Sequence, residues 1–594
     1  MTLTLRLPSV AEARPVPGGP PGMPDQALDA PFADAAAPGV APEPARLVAR
    51  VFVLGLPLAV SLAVGWVSLG WFRLDGVLSV AEVVLVAGSL FAYYWVVVSF
   101  TTALLGLFWR APARPLTGPD LDPGPGMDVA ILLPMYGEPA AATMGQAVRL
   151  LTALHGQDHD HRFSLHVLSD SRDPAAVQAE EAAFADLRRA HPDLALHYRY
   201  RDQNIDYKSG NIREWVCSGG AAYEAMLVLD ADSLMGRDAV LTLTNALAAD
   251  PACGLVQSVP RVLPGTTLWQ RLQSFASQAY GVNLARGFVT WTGSTGNFLG
   301  HNAVIRTRAF AASAGLPHLP GRRPMGGVIL SHDFVEAALL RRAGWGVRIL
   351  PEAVASYEDT PETVLGYVRR DRRWCQGNMQ HLRLVTMPGL HPLSRFHLMQ
   401  GAMAYLSSVW WLSLLVLWAA LGEGGTITYF TAGNPLMPVW PDLPPVTQGA
   451  LAAFVAAMLL VPKLIGVVAH LRDRGWPRGG RFRFALTVVV EIVLSVLMAP
   501  MLMVHQVRAV ARTLAGFDGG WVPHVAGRPG LGVLLRFHAM ETGLGLVLCA
   551  LVAAGLLTPW LLPVAICLAL AVPLSALAAC DAGRWPLYSF AVQT

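Results

Sequence analysis

Apolar runs of bilayer-crossing length recur towards both ends of this chain and are missing from its middle. Residues 51–72, 77–108, 398–421, 451–469 and 543–579 are uninterrupted apolar windows, each close to or beyond the ~20 residues a helix needs to span a hydrocarbon core. The last is long enough for two spans, broken at Thr558 and Pro559. Six spans of an integral membrane protein are therefore expected. Composition agrees: of 594 residues, 53% are hydrophobic and only 14% charged, with a mean hydropathy of +0.43, too apolar for a soluble protein of this size. A net charge of +3 gives no reason to expect a nucleic-acid partner. The six cysteines form no CxxC or Cys/His cluster, so they read as small core residues.

The windows divide the chain. Residues 1–45 are rich in Ala, Pro and Gly without apolar periodicity and are expected to be a disordered tail. No cleavable leader pattern precedes the first window, so residues 46–109 read as two transmembrane helices that stay in the membrane. Residues 110–397 hold most of the charge and every polar motif, and form the soluble domain. Arg110 and Arg114 enter it, while Arg369, Arg370, Arg372, Arg373, Arg383 and Arg395 lead out, which makes it cytoplasmic by the positive-inside rule. Residues 398–483 are two further spans and a basic loop. Residues 422–448 carry no Lys or Arg and should face the opposite side.

Residues 484–540 create a conflict. The apolar stretch 484–504 has arginines on both sides, so a single crossing would put one basic cluster outside. Pro500 and Glu491 within it point to a re-entrant, paired or interfacial segment instead. Residues 541–594 complete the chain with two spans and a short C-terminus.

Within the soluble block, β-rich runs at 127–133, 163–168, 194–200, 225–229 and 254–259 alternate with Ala-rich helical patterns. Such alternation implies an α/β fold with a mostly parallel sheet, whose ligands gather at the carboxyl ends of the strands. Four strands bring polar groups there: Tyr136 and Glu138 after the first, Asp170 after the second, Lys208 and Asn211 after the third, Asp230 and Asp232 after the fourth. Turn chemistry explains any one of them. Together they suit a nucleotide diphosphate: Asp170 to accept from a base N–H, Lys208 as a mobile charge for phosphate, and Asp232 with Asp230 as oxygen ligands for a hard cation.

Two later motifs supply what a transfer reaction still lacks. Asp333 follows Ser331 and His332 ahead of a helical run; it reads either as a helix cap or as the base that deprotonates an acceptor hydroxyl, giving inversion. Residues 369–378 hold Arg370, Arg373 and Trp374 just before the third span. They read either as a lipid-binding basic helix or as an arginine for the developing diphosphate charge with an aromatic platform for a sugar. A transporter with a nucleotide-sensing domain is a rival of another class, weakened because the spans hold few ionisable groups besides Glu82, Lys463 and Glu491.

With these residues in place, the chain resembles the processive, membrane-embedded family 2 glycosyltransferases, the group containing cellulose and hyaluronan synthases, over about residues 50–540. Two motifs depart from that pattern: Asp333 follows Ser-His instead of Thr-Glu, and Arg370 stands at the Gln of a Gln-x-x-Arg-Trp helix. Those departures, with residues 296–305, resemble the glucans biosynthesis glucosyltransferase H branch more closely. The resemblance implies a cytoplasmic GT-A (Rossmann-like) domain inserted in a multi-span α-helical membrane domain of the bacterial inner membrane. It implies UDP-glucose as donor, Mg²⁺ or Mn²⁺ at Asp230 and Asp232, and catalytic roles for Asp333, Arg373 and Trp374. Donor contacts would come from Tyr136, Glu138, Asp170, Lys208, Asn211, Asp230 and Arg370. The implied reaction is inverting, processive elongation of the β-1,2-linked backbone of osmoregulated periplasmic glucans, with the growing glucan, membrane lipids and a periplasmic glucan-processing protein as partners. A cellulose- or hyaluronan-type synthase and a glycolipid glycosyltransferase are the rivals within the group. Residues 516–521 would correspond to a mobile gating loop.

Overall fold

The computed structural model describes residues 22–73, 78–108, 125–156, 159–351, 353–421, 437, 446–477, 480–517 and 527–592. The middle of the chain forms a seven-stranded mixed sheet. Its strands are β1 (Asp128–Met135), β2 (Arg162–Ser169), β3 (Leu196–Tyr200), β4 (Ala225–Val228), β5 (Cys253–Ser258), β6 (Ala303–Arg306) and β7 (Gly346–Leu350), in the order β3-β2-β1-β4-β6-β5-β7. The pairs β1–β2, β2–β3, β1–β4 and β5–β7 are parallel, while β6 runs antiparallel to both of its neighbours.

The central strands read as unbroken apolar runs because both faces of the sheet are covered. On one face, Val129, Ile131 and Leu133 of β1 join Met144 and Leu151 of the Ala140–Leu154 helix and Val240 and Leu243 of the Arg237–Ala248 helix. On the other, Ala130 and Leu132 join Ile212 and Trp215 of the Tyr207–Gly219 helix and Leu340 of the His332–Arg342 helix. All five expected strands are present. A small second sheet pairs Leu234–Met235 and Arg261–Val262 with Ser356–Glu358 beside the end of β4.

The expectation of a disordered tail through residue 45 is corrected for residues 22–45. Met23 is buried in the core of the α/β domain, and Gln26 and Asp34 bond to Arg342 and Trp345. Glu43 binds both Arg46 and Arg50. A Pro- and Ala-rich segment lacks periodicity of its own, yet it is held here by side chains of a domain 300 residues away in sequence.

Among the described residues, five helices are long and apolar enough to cross a membrane: Pro44–Phe72, Val80–Leu107, Pro392–Leu417, Gly449–Arg474 and Arg481–Leu514. Two bent pairs follow, Leu531–Phe537 with Ala539–Ala553 at 66° and Pro559–Ala569 with Ala571–Ala578 at 49°, so the total is up to seven. The stretch 484–504 lies within the unbroken Arg481–Leu514 helix, which removes the re-entrant and paired readings; Pro500 sits inside it without ending it. This helix follows the α/β domain along its length. Phe484 packs on Phe275, Leu494 and Met498 on Leu268, Trp269 and Val364, and Ala509 and Val510 on Cys375. Residues 518–521 of the expected gating loop, Arg110, Arg114 and most of the 422–448 loop lie outside the described residues.

Candidate active site

The first polar group at the carboxyl edge is already engaged. Arg201, just past β3, donates from Nε to Asp170 Oδ1 at 2.6 Å and from Nη2 to Oδ2 at 2.9 Å, and both residues are buried. The same guanidinium donates to the Ile205 and Tyr207 carbonyls at 3.2 Å. Asp206 and Tyr207 adopt left-handed backbone (φ 57° and 54°), an unfavourable state for residues with a side chain. Arg201 thus fixes the strained turn that opens the Tyr207–Gly219 helix and aims Lys208. Asn211, by contrast, is fully buried, donating to Leu168 O at 3.0 Å and accepting from Arg199. It ties the helix to β2 and is not brought to the cleft.

Lys208 meets the first of the two aspartates after β4. The Lys208 ammonium contacts Asp230 and donates to Gly300 O at 2.8 Å. Gly300 takes its φ of +92° because glycine has no Cβ, and a Cβ there would come into ordinary contact with Asp333 Oδ2 at 3.4 Å. The backbone at Gly300 therefore joins the Lys208–Asp230 pair to Asp333.

Burial alone would raise the Asp230 pKa, but Lys208 and His301 outweigh it and hold the carboxyl below its usual range. Asp232 behaves oppositely. Desolvation in the cleft, then Asp230, Glu358 and Asp359, push it up to about 6 against the opposing effect of His301. Among the described residues no hydrogen bond or ion pair reaches its carboxylate. His301 bonds Glu358 at 3.1 Å, and despite burial Asp230 and Glu358 raise its pKa to about 9. Asp232 is exposed at the cleft mouth, and its free carboxylate beside Asp230 forms an oxygen donor set that fits a hard divalent cation. Glu138 faces the same field: burial raises its pKa, with Glu180 and Asp230 adding to the effect, and its Oε2 accepts from Tyr136 N at 2.5 Å.

Asp333 lies in the first turn of the His332–Arg342 helix, whose N-cap is Ser331. Ser331 makes no side-chain cap bond, and the Asp333 carboxylate accepts from its own first-turn N–H, so a helix-capping contact accompanies its place in the cleft. Burial raises its pKa and Glu336 adds to this, while His332 opposes it. His332 Nδ1 sits 3.0 Å from Glu336 Oε1. The whole turn is buttressed by the Val364–His381 helix. A Cβ at Gly377 would meet Ser331 Oγ at 2.3 Å, and His381 Nε2 bonds Ser331 O at 2.9 Å.

That buttress carries the arginines. Arg373 faces Asp230 and Tyr207; burial lowers its pKa and these two neighbours counter the shift. The Trp374 ring is 44% exposed, but one face is taken: the Arg370 guanidinium lies 4.6 Å from the ring centroid. Asp371, on another face of the helix, accepts from Tyr405 at 3.0 Å and Gln506 at 3.4 Å, anchoring the helix to two apolar ones.

Sequence reasoning missed Arg201, His301, Glu336 and Glu358. A usable signal existed for three of them: Arg201 directly follows the 194–200 run, Glu336 stands three residues after Asp333, and His301 lies within residues 296–305. Glu358 had none, because the three-stranded sheet alone carries it to Asp232.

A model of the glycosyl transferase family group 2 matches residues 225–441, from β4 and its aspartates through the third apolar helix. The chain is similar to the glucans biosynthesis glucosyltransferase H of Vibrio cholerae serotype O1, with 39% identity over 549 residues, 90% of this chain and 76% of that one. It is likewise 39% identical to the protein of that name from Bradyrhizobium diazoefficiens, over 89% of this chain and 72% of the relative. Among solved structures, the mannosyltransferase PcManGT from Pyrobaculum calidifontis, in complex with GDP-Man and Mn²⁺, aligns over 66% of this chain and 100% of its own at 16% identity and a TM-score of 0.42.

Proposed function

The chain belongs to the glucans biosynthesis glucosyltransferase H family of glycosyltransferases, and on that footing we propose that it elongates a β-1,2-linked glucan from UDP-glucose with inversion at the anomeric carbon. The observation that carries this reading is the convergence of Lys208, Asp230 and Asp333 on the backbone of Gly300. Phosphate charge, cation ligand and base then sit around one small volume, as in-line displacement of a diphosphate requires.

Asp232 and Asp230 would hold Mg²⁺ or Mn²⁺, which when bound offsets diphosphate charge. Lys208 and Arg373 supply fixed positive charge on the leaving-group side. Asp333 takes the acceptor proton. Tyr136 and Glu138 line the donor side, and Asp170 reads the base through the geometry that Arg201 fixes. Trp374, backed by Arg370, offers its free face to the acceptor sugar. The arginine distribution supports a cytoplasmic domain at a bacterial inner membrane, with the product passed across through the spans. The Arg481–Leu514 helix, long and apolar enough to cross a membrane, also packs on the domain through Leu494 and Met498 and pairs with the Gly449–Arg474 helix through Lys463 and Glu491, which supports its reading as a further span.

Full-length protein in detergent, supplied with labelled UDP-glucose and Mg²⁺, provides the test by linkage analysis of its product. β-1,2-linked glucose is expected. β-1,4-linked glucose, a mixed-sugar polymer or a glycolipid would replace this reading with a cellulose-type, hyaluronan-type or lipid-directed one.

A further inference from the structure

Away from the cleft, three ligating side chains meet where the Arg481–Leu514 helix touches the first bent pair. His505 and His538 are 2% and 0% exposed and Glu541 is 0% exposed. Each offers a ligating atom within 4.8 Å of the other two. His538 and Glu541 are three apart at the start of the Ala539–Ala553 helix, so they share a face. His505 comes from 33 residues earlier.

We propose that His505, His538 and Glu541 form a site for a divalent transition-metal cation of the zinc type, separate from the carboxylate site at Asp232. The two imidazole nitrogens, His505 Nε2 and His538 Nδ1, are 3.3 Å apart. Tetrahedral bonds of about 2.0–2.1 Å to one zinc would set two nitrogens about 3.3–3.4 Å apart. Glu541 Oε2 is 3.9 Å from His538 Nδ1 and has no hydrogen-bond partner, while His505 Nδ1 lies 3.4 Å from Glu541 Oε1. Arg508 donates to the other oxygen, Oε1, at 2.8 Å, in the way a neighbouring donor steadies a ligating carboxylate. Two imidazoles and one carboxylate are the donor set of zinc rather than of Mg²⁺ or Ca²⁺. Arg508 and Arg372 both face the cluster as cations, which disfavours an alkaline-earth ion held by charge alone and leaves coordinate bonding to the imidazoles as the source of affinity.

Bound there, the metal pins the end of the long helix to the bent pair. Phe537, beside His538, packs under Arg372 of the arginine helix, so the pin also adjoins the acceptor side of the cleft.

Metal analysis of the full-length protein, stripped with a chelator and reloaded with Zn²⁺ or Co²⁺, decides the matter. One zinc per chain is expected in the wild type and in Asp232→Asn, with loss in His538→Ala and in the near-isosteric Glu541→Gln. Co²⁺ should give the visible bands of a four-coordinate nitrogen and oxygen site in the wild type and in Asp232→Asn. A wild type that takes up neither ion overturns the proposal even if a variant fails to fold. So does zinc retained in full by both His538→Ala and Glu541→Gln, or lost in Asp232→Asn alone.

Discussion

Arg201 grips both carboxylate oxygens of Asp170 in a pair whose side chains are only 5% and 6% exposed. A residue expected to read a base directly is thus half of a buried ion pair that also ties down the Ile205 and Tyr207 carbonyls. Removing one partner strands the other charge, which costs roughly 3–5 kcal/mol. Arg201→Met should lower the thermal midpoint of the detergent-solubilised protein far more than Asp170→Asn, which keeps acceptor capacity toward the guanidinium. Equal melting of Arg201→Met and the wild type would dismiss the pair as a structural element.

Cation binding should depend on pH through Asp232. Its carboxyl is raised to about 6 by desolvation in the cleft and by Asp230, so protons compete with the metal below that pH and not above it. His301, raised to about 9, stays cationic through this range and adds no inflection. Mn²⁺-dependent UDP affinity, followed by titration between pH 5 and 8, should be flat above pH 6 and weaken about tenfold per unit below it, as expected for one competing proton. Asp232→Ala should abolish the Mn²⁺-dependent part. UDP affinity that ignores Mn²⁺ at every pH would remove the metal assignment.

How far the site was legible depends on where each signal lies. β1, β2, β4 and β5 show themselves because both sheet faces demand apolar residues there, and Asp170, Asp230 and Asp232 follow directly from their ends, while edge strand β3 shows itself only by its β-prone run from His197 to Tyr200 before Lys208. β6 hides because Ala303–Arg306 is too short to carry a period, and its antiparallel pairing with β4 depends on residues 75 positions away. Asn211 misleads because Asn suits a ligand turn and a buried hydrogen-bonding link equally well. Arg370 and Trp374 were found by motif, but their mutual stacking, which leaves the indole only one free face, needs helical geometry to be seen. The ordered 22–45 segment is invisible in sequence because its contacts belong to Arg342 and Trp345.

The stacking of Arg370 on Trp374 leads to a separable prediction. A cation over an exposed ring contributes about 0.5–1 kcal/mol, so Arg370→Gln should barely affect folding. Arginine only donates hydrogen bonds, whereas glutamine donates and accepts, and the Trp374 ring loses its fixed backing. Acceptor KM should rise several-fold with donor affinity unchanged, and linkage analysis should reveal products other than the wild-type linkage. Identical linkage and acceptor KM would leave Arg370 without a role on the acceptor side.

Asp333 and His332 can be separated by their pH profiles. As the base, Asp333 must be ionised, and burial raises its pKa while His332 draws it down. Asp333→Asn should cut kcat by roughly 10²–10⁴, the usual contribution of a positioned general base, while UDP affinity holds. His332→Gln removes the opposing cation, so the Asp333 pKa climbs and the acidic limb of kcat should move to higher pH. The plateau at alkaline pH should survive, because the carboxylate itself is intact. A His332→Gln limb that stays in place would mean that the titrating group is not Asp333, and a fully active Asp333→Asn would require another base.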